Sequence, residues 1–267
     1  MKKPILAICY DFDKTLSPDD MQAQGYIQSV GYDVGKFWKE TDELARKNEM
    51  DNNLAYMYKM MEKARGKLLF TRCTLEDYGA KVRLFEGVTD WFDRINAYGK
   101  ERGVEVEHYI ISCGLREMID GTELGRRNVF KKVYASSFYY DECGVALWPA
   151  QVINYTTKTQ FLFRISKGIL DVNDDSVNNL TKPEDIRVPF TNMVYIGDSD
   201  TDVPCMKLVN SYGGHSIGVY SPETEDKTKV LKMIGDGRIS KFAPADYREG
   251  SQLDFTIKEI IDGFCQI

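Results

Sequence analysis

Residues 3–17 read KPILAICYDFDKTLS, and with Lys2 just ahead two lysines precede an apolar run that stops at two aspartates flanking Phe12. Two readings compete: the core of a secretory leader, or a buried strand that delivers two carboxylates to one place. Residues 4–10 sit at the short end of a leader's apolar core, and aspartates stand where small cleavage-site residues would be expected. A continuous apolar run without alternation is instead what a strand covered on both faces of a parallel sheet requires. The strand reading puts Asp11 and Asp13 at the carboxyl end of Ile5–Tyr10.

Composition narrows the classes. The 267 residues suffice for one large domain or a domain carrying an insertion. At 43% hydrophobic and 12% aromatic, the chain can bury a sizeable core and is not compositionally disordered. It has 35 basic against 41 acidic side chains, a net charge of −6 and a pI near 5.2, so nucleic acid is not an expected partner. No run approaches the roughly 18 apolar residues of a membrane span, so no membrane partner is expected either. Cys9, Cys73, Cys113, Cys143, Cys205 and Cys265 show no C-x-x-C spacing and read as free thiols of a reducing compartment. A soluble, cytoplasmic protein is expected.

Beyond the first strand the pattern turns helical. Leu54, Met57, Tyr58 and Met61 fall at i, i+3, i+4 and i+7, which predicts one apolar helix face, and Phe37, Trp38, Leu44 and Ala45 predict a helix before it. Loops usually run to about 4–6 residues, so residues 17–85 are expected to form an inserted helical cap. Residues 1–16 and 86–267 then make the core. There, helices are expected over 88–98, from 115 to 119, 157–170, 201–209, 224–234 and 254–262. Strands are expected over 106–111, 133–135, 192–196, 216–219 and near Phe242, with an aromatic hairpin or irregular excursion over 138–152 and a polar connection over 171–190. This alternation predicts a Rossmann-like, doubly wound α/β sheet, mostly parallel, with a helical insertion.

In such sheets ligands gather beyond the carboxyl ends of the strands, near the topological switch point. Three expected strands end in residues suited to phosphate chemistry: Asp11-Phe12-Asp13-Lys14-Thr15, Ser112-Cys113-Gly114, and Gly197-Asp198-Ser199-Asp200-Thr201-Asp202. Taken singly, each is ordinary: paired acids cap helices, serines end strands and Gly-Asp-Ser makes turns. Their common placement favours a single site.

In this order the motifs resemble those of the haloacid dehalogenase superfamily: D-x-D-x-T, then Ser or Thr, then Lys, then D-x-x-x-D. The resemblance covers residues 1–16 and 86–267, and the insertion between the first two motifs is similar to the phosphoserine-phosphatase-like branch. It implies a Mg²⁺-dependent phosphatase acting on a small phosphorylated metabolite. Asp11 would be the nucleophile that forms an aspartyl-phosphate, and Asp13 the acid and then the base. Ser112 would bond a phosphoryl oxygen. Asp11, Asp198 and the carbonyl of Asp13 would hold Mg²⁺, with Asp202 orienting its ligands from behind. Lys158, opening its helix, fits the phosphoryl lysine; Lys167 competes, although a lysine at a helix end also favours the dipole. Thr15 and Arg116 are weaker candidates for touching substrate, and Arg116 reads equally as a solvated helix arginine.

Lys14 stands where many members carry glycine. Asp13 argues against a dehalogenase, and the absence of D-K-T-G-T argues against an ion-pumping ATPase. A phosphomutase and a receiver-like signalling domain remain as alternatives. His108 reads as a satisfied structural histidine, His215 as a loop residue, and Cys113, beside the expected site, as a candidate for oxidation. Most of the cations at Arg46, Lys47, Arg65, Lys67, Arg72, Lys81 and Arg83 are expected on a solvated face.

Overall fold

The computed structural model describes residues 3–264, so Cys265 lies outside the described residues. β1 (Ile5–Tyr10) forms as the apolar run predicts and lies in the middle of a seven-stranded sheet of order β4-β3-β2-β1-β5-β6-β7. The other strands are β2 (Glu105–Leu115), β3 (Lys132–Tyr140), β4 (Ala146–Gln151), β5 (Met193–Gly197), β6 (His215–Tyr220) and β7 (Lys241–Pro244). All pairings are parallel except β3 with β4, an antiparallel hairpin that accounts for the aromatic excursion. From β1 the chain builds outward through β2 and β3, then returns to the other side for β5, β6 and β7. The order therefore reverses at β1, and the carboxyl ends of β2, β1 and β5 flank one crevice.

The helices are α1 (Tyr26–Ser29), α2 (Val34–Lys47), α3 (Asn52–Ala64), α4 (Arg72–Gly79), α5 (Val88–Glu101), α6 (Arg116–Gly121), α7 (Glu123–Arg126), α8 (Lys158–Lys167), α9 (Val203–Ser211), α10 (Thr228–Gly235) and α11 (Gln252–Gly263). β1 divides its side chains between two cores by the period of a strand. Leu6, Ile8 and Tyr10 pack with Trp91 and Ile95 of α5 and Leu253 and Ile257 of α11; Ala7 and Cys9 pack with Phe161 of α8 and Met206 of α9. Coverage on both faces is what a continuous apolar strand demands.

Some expectations shift. β2 runs through Ser112 to Leu115, so Ser112 lies in the irregular stretch between the paired residues Ile111 and Leu115 and not past the strand's end. α8 stops at Lys167 because Gly168 takes φ 75° as the C-terminal residue. Residues 171–190 carry short 3₁₀ turns, pinned by Arg164 to the carbonyls of Asp171, Val172 and Asp174. The apolar face of α3 is rotated from the expected one: Tyr56, Met57, Met60 and Ala64 are buried, while Tyr58 is 44% exposed. His215 opens β6 instead of lying in a loop.

α1–α4 lie between β1 and α5 in the chain, and their apolar side chains join the same core as the sheet. Tyr26, Phe37, Met57 and Leu75 belong to one buried cluster with Leu6, Tyr10 and Trp91. Among the described residues, no helix is long and apolar enough to cross a membrane.

Candidate active site

The turn after β1 begins the site. Asp11 donates its N–H to the Ile196 carbonyl of β5 (2.9 Å), so it still follows the strand. The amides of Thr15, Leu16 and Ser17 then converge on the carbonyl of Phe12 rather than on that of Asp13. Phe12 itself is fully buried, which anchors the middle of the motif and leaves the acids on either side of it to face the crevice. Lys14 adopts φ 57°, the left-handed region that favours glycine and costs other residues about 1–2 kcal/mol. Here the lysine extends outward, and its ammonium lies 2.8 Å from Asp20.

Asp11 is 6% exposed; its Oδ1 accepts the Phe12 N–H (2.8 Å) and its Oδ2 lies 3.2 Å from Lys158 Nζ. Burial, reinforced by the Asp202 carboxylate, pushes its pKa up to about 6 against the pull of Lys158. Asp13 is held by the Met21 N–H (2.9 Å), and burial, then Asp20 and Asp11, raise its pKa well above the ordinary carboxylate range. The two acids are thus differentiated by environment: Asp11 touches the buried Lys158, while Asp13 feels only the weaker pull of Lys14.

Lys158, the first residue of α8, is fully buried and bridges Asp11 and Asp202, at 3.2 and 2.7 Å. Burial opposes its charge, but Asp11 and Asp202 outweigh that and hold its pKa well above normal. Lys167 is placed elsewhere, donating to the carbonyls of Val177 and Asn179 at 2.7 Å each.

The last acidic pair follows β5. Asp202 is fully buried and its acceptors are in use. Oδ1 takes Lys158 Nζ and the Tyr195 hydroxyl (2.7 and 2.9 Å), and Oδ2 takes the N–H groups of Asp198 and Ser199 (3.2 Å each). Gly197 makes room for it, since a Cβ there would come within 2.5 Å of the Asp202 carboxylate. Asp198, 9% exposed, has no hydrogen-bond donor on its carboxylate among the described residues, and burial followed by Asp202 and Asp11 pushes its pKa well up. Side-chain oxygens of Asp11, Asp198 and Asp202 lie within 4.8 Å of one another. Among the described residues, Lys158 is the one cation in ion-pair contact with this acidic group, reaching Asp11 and Asp202 but not Asp198.

Ser112 is 1% exposed and its Oγ accepts the Gly114 N–H at 3.0 Å. The next carbonyl, that of Cys113, accepts the Tyr56 hydroxyl of α3 (2.7 Å) and Ser136 Oγ (3.1 Å). Burial, the largest influence, pushes the Cys113 thiol up to about 12, so it lacks the thiolate character that the oxidation reading needs. Thr15 is fully buried; its carbonyl accepts the Tyr247 hydroxyl (2.8 Å), and its Oγ1 has no partner among the described residues. Arg116 does not join the acids: it pairs with Asp120 (3.3 Å) and lines a separate 470 Å³ cavity with Lys132, Tyr134 and Gln160.

Sequence reasoning missed Tyr56, Tyr195, Met21 and Asn154. Asn154 had a signal, since an Asn just ahead of a helical pattern is a candidate capping residue. The tyrosines had none, because their partners are far away in the chain.

A family model for haloacid dehalogenase-like hydrolases matches residues 8–207. An uncharacterized protein of Borreliella burgdorferi is 26% identical, with 97% of this chain and 98% of that protein covered. Among solved structures, a HAD family hydrolase from Salmonella enterica serovar Typhi matches with a TM-score of 0.61 at 14% identity, covering 95% of this chain and 70% of that one. A phosphoserine phosphatase, solved as a phospho-aspartyl intermediate analogue, matches with a TM-score of 0.56 at 15% identity, covering 96% and 99%. At these identities the structures attest the fold.

Proposed function

The chain belongs to the haloacid dehalogenase-like hydrolases, and from that premise we propose that it is a Mg²⁺-dependent phosphatase of small phosphorylated metabolites. The observation that carries this reading is the buried Asp11–Lys158–Asp202 array beside an Asp198 carboxylate that no donor satisfies.

The donor set fits a hard divalent cation. Asp11 and Asp198 have carboxylate oxygens to offer, the Asp13 carbonyl lies outside the turn's own hydrogen bonds, and Asp202 is consumed in orienting Lys158 and the β5 turn. When bound, Mg²⁺ supplies the positive charge that lets an anionic nucleophile approach an anionic phosphoryl group. Asp11 Oδ attacks phosphorus, the bond to the leaving oxygen breaks, and that oxygen takes the proton held on Asp13. Asp13, now ionised, removes a proton from water as its oxygen attacks the aspartyl-phosphate, releasing inorganic phosphate and restoring both acids. Lys158 balances charge on Asp11 and the transferred group; Ser112, whose Oγ accepts the Gly114 N–H and keeps its own proton to donate, is suited to an equatorial oxygen.

Purified protein should release phosphate from an aryl phosphate with Mg²⁺ and stop when chelator is added. Asp11→Asn should lower kcat by roughly 10³-fold or more, and Asp13→Asn by about 10²-fold or more. Undiminished turnover by Asp11→Asn would sink the nucleophile assignment. Product analysis over a panel of sugar, amino-acid and nucleotide phosphates names the substrate, and isomerised sugar phosphate in place of free phosphate would mark a mutase.

A further inference from the structure

The start of α3 is fastened to the segment that delivers Lys158. Asp51 caps α3 with Oδ1, which accepts the N–H groups of Asn53 and Leu54 at 2.8 and 3.2 Å. Asn154 does the same for α8: its Oδ1 accepts the N–H groups of Thr156 and Thr157 at 3.1 and 2.9 Å, and its carbonyl accepts the N–H of Lys158 at 2.9 Å. Each cap uses one side-chain atom, and the remaining atoms meet. Asn154 Nδ2 donates to Asp51 Oδ2 at 2.9 Å, and Asn53 Nδ2 donates to the Ile153 carbonyl at 2.7 Å. One turn further along α3, Tyr56 donates to the Cys113 carbonyl beside Ser112. Ser136 closes the loop, accepting from the Ile153 N–H (3.1 Å) and donating to the same carbonyl.

We propose that Asp51 and Asn154 form a latch that makes Asn154 a positioning residue for Lys158, so that seating α3 on the core and fixing the phosphoryl-facing ammonium are one event. The inference rests on the phosphatase reading and deepens it. Capping alone explains neither contact, since capping is satisfied by Oδ1 of each residue. The 2.9 Å bond between the second atoms ties two segments about a hundred residues apart in the chain to the same turn that carries the lysine. Because Lys158 is enclosed between Asp11 and Asp202, a small displacement of its backbone moves it away from one or the other.

The polarity of the pair supplies the test. N154D keeps a capping oxygen for Thr156 and Thr157 but loses the donor and sets two carboxylates against each other. D51N with N154D keeps both caps and restores the bond with its direction reversed. The single variant should lose about tenfold or more in kcat with KM changed less than about threefold, and the double should return to within about threefold of wild type. Wild-type kcat in N154D, or a double variant no better than the single, overturns the proposal. Amide hydrogen exchange over residues 51–57 and 153–160 reads the latch without turnover. It should be about tenfold faster in N154D and restored in the double variant; unchanged exchange in N154D also overturns the latch. Should the wild type release no phosphate, the activity reading fails and exchange alone decides the latch.

Discussion

At the scale of single residues, environment assigns roles that residue type leaves open. Five aspartates stand at or near the ends of β1 and β5, at 11, 13, 198, 200 and 202, yet Asp200 is exposed, Asp202 is saturated by five donors, and Asp11 faces the lysine. His108 is the clearest case outside the site. Its Nδ1 lies 3.0 Å from the Tyr10 hydroxyl and its Nε2 3.1 Å from Asn96 Oδ1, while Trp91 Nε1 donates to Tyr10 at 2.8 Å. Tyr10 has therefore spent an acceptor on Trp91 and donates to Nδ1, and Asn96 accepts from Nε2–H, which requires the neutral ring. Burial lowers its pKa from 6.5 to about 3. A base whose folded pKa lies below its unfolded one contributes stability that is present above about pH 6.5 and is lost as pH falls toward 3. Between pH 7 and 4.5, urea unfolding of the wild type should lose roughly 2–3 kcal/mol that His108→Gln does not lose. Parallel pH profiles for the two proteins would refute it. The sequence reading of His108 as a satisfied core residue is met, because a histidine inside an apolar strand has to find partners; which partners was not legible.

At the scale of elements, periodicity announced strands and helices well, and their junctions less well. The first strand and the helix over Val88–Glu101 follow directly from apolar spacing. The face of α3 came out rotated because Tyr58 satisfies a helical spacing as readily as Tyr56 does, and only the strand facing it decides which is buried. Contact between α4 and α6 was likewise invisible. A Cβ on Gly79 would sit 2.0 Å from the Met118 carbonyl oxygen, and one on Gly121 2.0 Å from that of Glu76, so the two helices cross backbone against backbone. Methyl groups there force the helices apart in a packed core, with losses of about 1–3 kcal/mol. Gly121→Ala should lower Tm by about 3–10 °C, read by differential scanning calorimetry. An unchanged Tm would mean that the helices do not meet as closely as described.

At the scale of the whole molecule, the inserted helices and the sheet share one hydrophobic cluster, in which Phe37, Met60 and Leu75 pack with residues of β1 and α5. A cap folded around its own core would melt separately; one sharing the sheet's core should not. Thermal unfolding followed by far-ultraviolet dichroism and by tryptophan fluorescence, with Trp38 in α2 and Trp91 in α5, should give coincident single transitions, and two separated transitions would contradict the shared core. The sequence by itself determined the doubly wound α/β class and the order of Asp11, Asp13, Ser112, Asp198 and Asp202, because apolar period and strand-end placement are local properties of the chain. Tertiary structure alone decided that Lys158 and not Lys167 meets Asp11, that Arg116 turns to another cavity, and that Asp51 faces Asn154. Each of those outcomes depends on which distant segments share a buried volume, and side chains one helical turn apart are equivalent until a neighbouring element makes them differ.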